Sequence, residues 1–217
     1  LERSAAIERR YAATADGTPD GPPVLLTRER IAQIRAESGS YIFSCQQLLD
    51  PVADEAQGFK LEWTLHYDYE GQVKAKTIGS GMNKYLLCDP ASEKKQGSNY
   101  TVFAAVGLGP DQRYYVLDFV RDRINLTERW NTLLRLHRKW KPRLVGYEKY
   151  GKDAEIEFFR SEMRRINYHF NVIPLGGLTK KTDRIRRLVP LFERGEVLLP
   201  ERLEVIDYQG KPHDLIK

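Results

Sequence analysis

The sequence predicts an α/β protein: a mixed five-stranded sheet, three antiparallel strands plus two parallel crossover strands, with helices on both faces. Three observations predict it. From Lys84 onward, short apolar runs alternate with segments of helical period in the order β-β-β-α-β-α-β-α. The first three runs are joined by short turns and should pair antiparallel, whereas the later ones are separated by helices and should lie parallel through right-handed crossovers. The composition is globular, with 217 residues, 41% hydrophobic and 30% charged, which is enough apolar mass for a core. Uncharged apolar runs such as Tyr100–Leu108 fall far short of the roughly 18 residues that span a bilayer. The charged stretch Leu1–Tyr11 does not read as a signal peptide.

Leu1–Ala13 reads as a short helix or the tail of one. The Gly-, Pro- and Asp-rich run Asp16–Pro23 is a loop. Thr27 can cap a helix from Arg28 to about Glu37, with Gly39 as its stop. Tyr41–Leu49 suits strand or helix, Leu61–Tyr69 alternates weakly as an extended segment, and Gly79-Ser80-Gly81 reads as a hinge. Strands are then predicted over Lys84–Asp89, Tyr100–Leu108 and Arg113–Val120, with hairpin chemistry at Gly107–Asp111. A helix over Thr127–Trp140 carries Trp130, Leu133, Leu134 and His137 at helical spacing, and Pro142 breaks it. Arg143–Glu148 is the fourth strand, Asp153–Asn167 a helix, and Phe170–Leu175 the fifth strand. A last helix over Lys181–Arg194 contains Pro190, which implies a kink or a split.

The net charge is +5, compatible with nucleic acid without requiring it. Two cysteines, Cys45 and Cys88, fit a reducing compartment, and no Cys/His spacing suggests zinc. Two acids stand out by position. Asp89 closes the first strand and Glu148 the fourth, and in this order those strands should be neighbours. Their carboxylates would then share the crevice at the carboxyl ends of parallel strands, where open α/β sheets place their sites. Two carboxylates there do not both ionise cheaply without a cation, and oxygen ligands suit Mg²⁺ or Mn²⁺. Two such ions about 4 Å apart can clamp the attacking and leaving oxygens of a phosphodiester. Strand-end acids also cap helices or decorate loops, so position alone leaves both readings open.

Several motifs carry a family resemblance. Cys88-Asp89-Pro90-Ala91 with Ser98-Asn99-Tyr100-Thr101 resembles the opening motif of the nuclease domain of tailed-phage terminase large subunits. Tyr114–Asp118 resembles its third strand, and Trp140-Lys141-Pro142 with Val145–Glu148 its second acidic motif. Lys181–Ile185 with Leu188–Gly195 and Val197 resembles its closing basic helix and strand. The match runs over about Tyr85–Pro200, and the upstream Phe43–Gln47 is similar to the segment that joins that family's motor to its nuclease.

The resemblance implies an RNase H-like fold and a metal-dependent endonuclease that cuts concatemeric viral double-stranded DNA during genome packaging. It makes Asp89 and Glu148 both catalytic acids and metal ligands, for Mg²⁺ or Mn²⁺, two ions. It implies double-stranded DNA, a portal protein and a terminase small subunit as partners, in the host cytoplasm and with no membrane. Residues 1–84 then read as a linker and edge segment following an ATPase domain, and 85–217 as the nuclease domain. The family's third carboxylate is expected beyond Lys217, because Asp214 and the following Leu215-Ile216 fit better the segment before that motif. Gly176–Thr182 lacks the Gly-Lys pair of a phosphate-binding loop, so no nucleotide is expected on this chain. Lys181 and Arg184 are three apart on the densest basic segment and are the expected DNA-phosphate contacts. Two further readings keep weight: a resolvase or RNase H-type nuclease on branched or hybrid substrates, and a DNA-binding module whose site is incomplete.

Overall fold

The structure is a computed structural model and describes residues 11–50, 58–69, 71, 80–91, 100–148, 153–176, 181–206 and 211–214. The chain divides into two compact units, one of Leu1–Trp63 with Thr179–Gly195, the other of Thr64–Leu178 with Glu196–Lys217. The second unit begins at Thr64, and a later helical segment, Thr179–Gly195, belongs to the first.

The first unit is helical. Its α1 (Arg28–Gln47) begins where Thr27 accepts a hydrogen bond from the Arg30 N–H at 3.2 Å. Gly39 adopts φ 78° and ψ 162°, so the predicted stop is a kink, and the ambiguous Tyr41–Leu49 stretch continues as helix. Ile31 and Phe43 are buried with Ala13 and Leu48.

The second unit is a sheet. In chain order it holds β1 (Leu65–Tyr67), β2 (Asn83–Asp89), β3 (Thr101–Leu108), β4 (Tyr114–Asp122), α2 (Leu126–Trp140), β5 (Leu144–Glu148), α3 (Asp153–Arg165) and β6 (Val172–Leu175). The chain then forms α4 (Lys181–Arg186) and α5 (Val189–Glu193) in the helical unit, before β7 (Val197–Pro200) and a separate hairpin, β8 (Glu204–Ile206) with β9 (Pro212–Asp214). The predicted last helix is thus split, and Pro190 lies in the first turn of its second piece, where a missing N–H costs nothing.

The sheet order is β1-β7-β4-β3-β2-β5-β6. Within it, β4-β3-β2-β5-β6 is the expected mixed five-stranded sheet, with β3 antiparallel to both neighbours and β2, β5 and β6 parallel. The sheet has seven strands rather than five, because β1 and β7 extend the β4 edge in parallel. Asn125 and Glu128 form a reciprocal capping box that starts α2. Both crossovers, β4 to β5 and β5 to β6, move the same way along the sheet, so right-handed connections set α2 and α3 on one face. The core lies there: Trp130, Leu133 and Phe159 from the helices meet Leu86, Phe103 and Val145 from the strands. Among the described residues, no helix is long and apolar enough to cross a membrane.

Candidate active site

Alternation along β2 decides which way its side chains face. Leu86 and Cys88 are buried under the helices, and Asp89 follows on the opposite face, half-buried. In β5, Val145 and Tyr147 are buried in the same core, and Glu148 follows on the opposite face, half-buried. The parallel register pairs Leu87 with Gly146 and Cys88 with Tyr147. One further step brings Asp89 beside Glu148, on strands about 4.8 Å apart. The two acids therefore share one face, at the carboxyl ends of adjacent parallel strands. Gly146 matters here by its size: a Cβ on it would stand 2.6 Å from Leu175 Cδ1 and 3.1 Å from Leu87 Cδ2. Its lack of a side chain lets those two leucines close over β5, giving the carboxylates an apolar flank.

Beneath the pair, on the helix-covered face, lies a buried charge network. Arg129 of α2 is 4% exposed. Its Nη1 donates to Glu155 of α3 at 3.0 Å, to the Ala91 carbonyl at 3.2 Å and to the Tyr147 hydroxyl at 3.4 Å. The Tyr147 hydroxyl itself donates to Glu155. Ala91 comes two residues after Asp89, and Tyr147 immediately precedes Glu148, so one guanidinium holds the main chain beyond Asp89 and the side chain of the residue before Glu148. Sequence reasoning missed Arg129 and Glu155. The available signal was a charge on the stripe 129, 133, 136, 140, whose other members are Leu and Trp. Burial pushes the Cys88 thiol well up and the Tyr147 phenol up, so both stay neutral in the wall of the site.

Lys181 and Arg184 are on α4 of the helical unit, where Lys181 is described in its backbone only and Arg184 is half-buried. Asp214 sits in the β8–β9 hairpin, where its Oδ1 accepts the Leu203 N–H at 3.2 Å. Ser98, Asn99 and residues 177–180 of the phosphate-loop look-alike lie outside the described residues. His137 is a packing residue, stacked 3.9 Å from the Phe170 ring and bonded through Nδ1 to the Tyr168 hydroxyl at 2.9 Å.

Among the described residues, no group of three or more His, Cys, Asp and Glu side chains converges as a metal site. The donor set of Asp89 and Glu148, two hard carboxylates side by side, does fit a magnesium-like cation, and a cation relieves the cost of ionising both. Neither acid lines the cleft of about 370 Å³ beside α1 or that of about 810 Å³ beside Asp118. The pair stands on the face of the sheet opposite the one that carries Leu86, Cys88, Val145 and Tyr147.

No protein-family model matches the chain, and no curated protein sequence matches it. Among solved structures, the chain is similar to the large terminase nuclease of thermophilic phage G20c, with 16% identity, a TM-score of 0.44, and 62% of this chain and 72% of that one covered. That nuclease is also known with bound magnesium, where the identity is 17% and the TM-score 0.42. The large terminase of bacteriophage HK97 is similar at 11% identity and a TM-score of 0.46, covering 87% of this chain and 46% of that one.

Proposed function

We propose that this chain is the nuclease part of a viral large terminase, a divalent-metal-dependent endonuclease that cuts concatemeric double-stranded DNA during packaging. The observation that carries the reading is the parallel register of β2 and β5, whose continuation by one residue sets Asp89 beside Glu148 on one face of the sheet. The motif resemblance across Tyr85–Pro200 adds the substrate, and with it a portal protein and a terminase small subunit as partners of the assembled motor.

In this reading Asp89 and Glu148 hold Mg²⁺ or Mn²⁺, which lowers the pKa of an attacking water and neutralises charge on the phosphate. The chain's own residues do the positioning. Asp89 and Glu148 present oxygens from two rigid strands, so their spacing is set by the sheet rather than by a loop. Arg129 fixes the main chain just beyond Asp89 and holds the side chain of Tyr147, the residue before Glu148. The neutral Tyr147 and Cys88 add no charge of their own to the site.

The test is cleavage of supercoiled plasmid by the full chain with Mn²⁺, with EDTA, and with Asp89→Asn in Mn²⁺. Nicking or linearisation by the unmutated chain in Mn²⁺ alone is expected. Cutting that persists in Asp89→Asn refutes the assignment. A second reading, a DNA-binding module without catalysis, is favoured by the absence of a third converging acid among the described residues. It predicts DNA binding with no cutting under any condition.

A further inference from the structure

The helical unit holds the cleft of about 370 Å³ beside α1. One wall is a stripe of α1 that runs from Arg28 through Ala32, Arg35 and Ala36 to Gly39, and the other comes from Pro190, Glu193 and Arg194. The α1 positions recur at helical spacing and so share one face. At 1.5 Å per residue the stripe is roughly 16 Å long. That is the length of about five residues of extended chain at 3.3 Å each.

The charged groups of the two walls differ in what they already hold. The Ser40 N–H and the Ala36 carbonyl are a bonding pair in an unbroken helix. At the Gly39 kink they meet the opposite wall: Glu193 accepts the Ser40 N–H at 3.1 Å and the Ser40 hydroxyl, and Arg194 donates to the Ala36 carbonyl. Glu193 and Arg194 therefore hold the bend. On the α1 wall, Arg35 has Asp20 at 3.3 Å, and the Asp20 side chain is 90% exposed, so water screens that pair. Arg28 is exposed and makes no ion pair among the described residues. The carboxylate it acts on is Glu29, next to it in the chain, which does not line the cleft.

Two guanidinium groups thus stand seven residues apart, roughly 10 Å along the helix. Between them lie Ala32 and Ala36, both exposed. A single small anion is too short to meet both arginines. A chain that carries carboxylates on either side of an apolar side chain meets both, each by a bidentate pair, and takes the two alanines out of water.

We propose that this cleft is a docking site for an acidic, partly apolar peptide segment of a partner protein, held by Arg28 and Arg35 over Ala32 and Ala36. An incoming carboxylate replaces Asp20 at Arg35 at little cost, because the existing pair is exposed. Every residue involved belongs to the helical unit, so the inference does not depend on the nuclease reading.

The test measures fluorescence anisotropy of labelled peptides with the full chain in EDTA. Three peptides of one length alternate Leu with Glu, Gln or Lys. The Glu peptide should bind, and the other two should bind roughly tenfold more weakly or worse. Arg28→Gln and Arg35→Gln should each weaken the Glu peptide about three- to tenfold. The double variant should show about the product, because the two positions lie roughly 10 Å apart. Ala32→Leu fills the floor at an exposed helical position and should weaken binding as well. Arg30→Gln removes the same charge from α1 outside the cleft and should leave binding unchanged, and circular dichroism checks that each variant is folded. Equal binding of the three peptides, unchanged binding by a folded double variant, or an equal loss in Arg30→Gln overturns the proposal. Displacement of the Glu peptide by inorganic phosphate or by duplex DNA at comparable concentration also overturns it, because the cleft would then be a phosphate site.

Discussion

Replacing Arg129 with methionine should destabilise the chain severely, and the network around it sets the size of the effect. The Arg129 and Glu155 side chains are 5% and 9% exposed, with 3.0 Å between Nη1 and Oε2. Arg129→Met takes the Arg129 cation away from the buried Glu155 carboxylate. Removing one partner of a buried pair costs about 3–5 kcal/mol, whereas replacing both by apolar residues of similar volume is often neutral. The Arg129→Met/Glu155→Leu double variant should therefore recover most of the loss. For a chain of 217 residues, at about 2–4 °C per kcal/mol, the single variant loses roughly 6–20 °C in Tm. Urea unfolding of wild type, both single variants and the double variant, followed by circular dichroism, gives the coupling energy directly. A single variant within about 1 kcal/mol of wild type, or a double variant as unstable as Arg129→Met, refutes this reasoning. The same reasoning predicts that Tyr147→Phe costs about 1.5–3 kcal/mol, less than the loss of Arg129, because it removes the two hydrogen bonds of the hydroxyl to charged groups and leaves the ion pair.

Three further outcomes are expected. Burial holds the His137 imidazole below its ordinary value of 6.5, so the unfolded chain takes up the proton first. Stability should therefore be flat above about pH 7 and fall as pH drops through about 6.5. Urea midpoints at pH 7.5 and 5.5 for wild type and His137→Gln should differ less in the variant. In the native chain Cys45, which is half-buried, should react with a thiol reagent well before the buried Cys88, as peptide mapping after a timed reaction will show. Gly39→Ala should cost more than about 1 kcal/mol by thermal unfolding, because Gly39 has φ 78° and its added Cβ would stand 2.9 Å from Pro190 Cγ.

What the sequence disclosed follows from its periodicity. Asp89 and Glu148 each end an uninterrupted apolar run, and the two crossover helices fix the order that makes their strands neighbours. Neither inference needs a side-chain contact, so both were legible. The place of β1 in the sheet was not: Leu61–Tyr69 reads as extended, but its partner β7 comes more than a hundred residues later in the chain. Leu117 and Asp118 are both buried at the irregularity where β4 shifts register against β3, and simple alternation does not anticipate that. Arg129 looks like any helical arginine until its stripe is known to be buried.

The central claim is that Asp89 and Glu148 act as one divalent-cation site, and Mn²⁺ binding tests it without relying on turnover. Titration of the full chain with Mn²⁺, followed by the loss of free-ion electron paramagnetic resonance signal, should show binding in wild type. Asp89→Asn, Glu148→Gln and the double variant should each lose it, with the double variant little worse than either single one. Undiminished Mn²⁺ binding by the double variant would contradict the account.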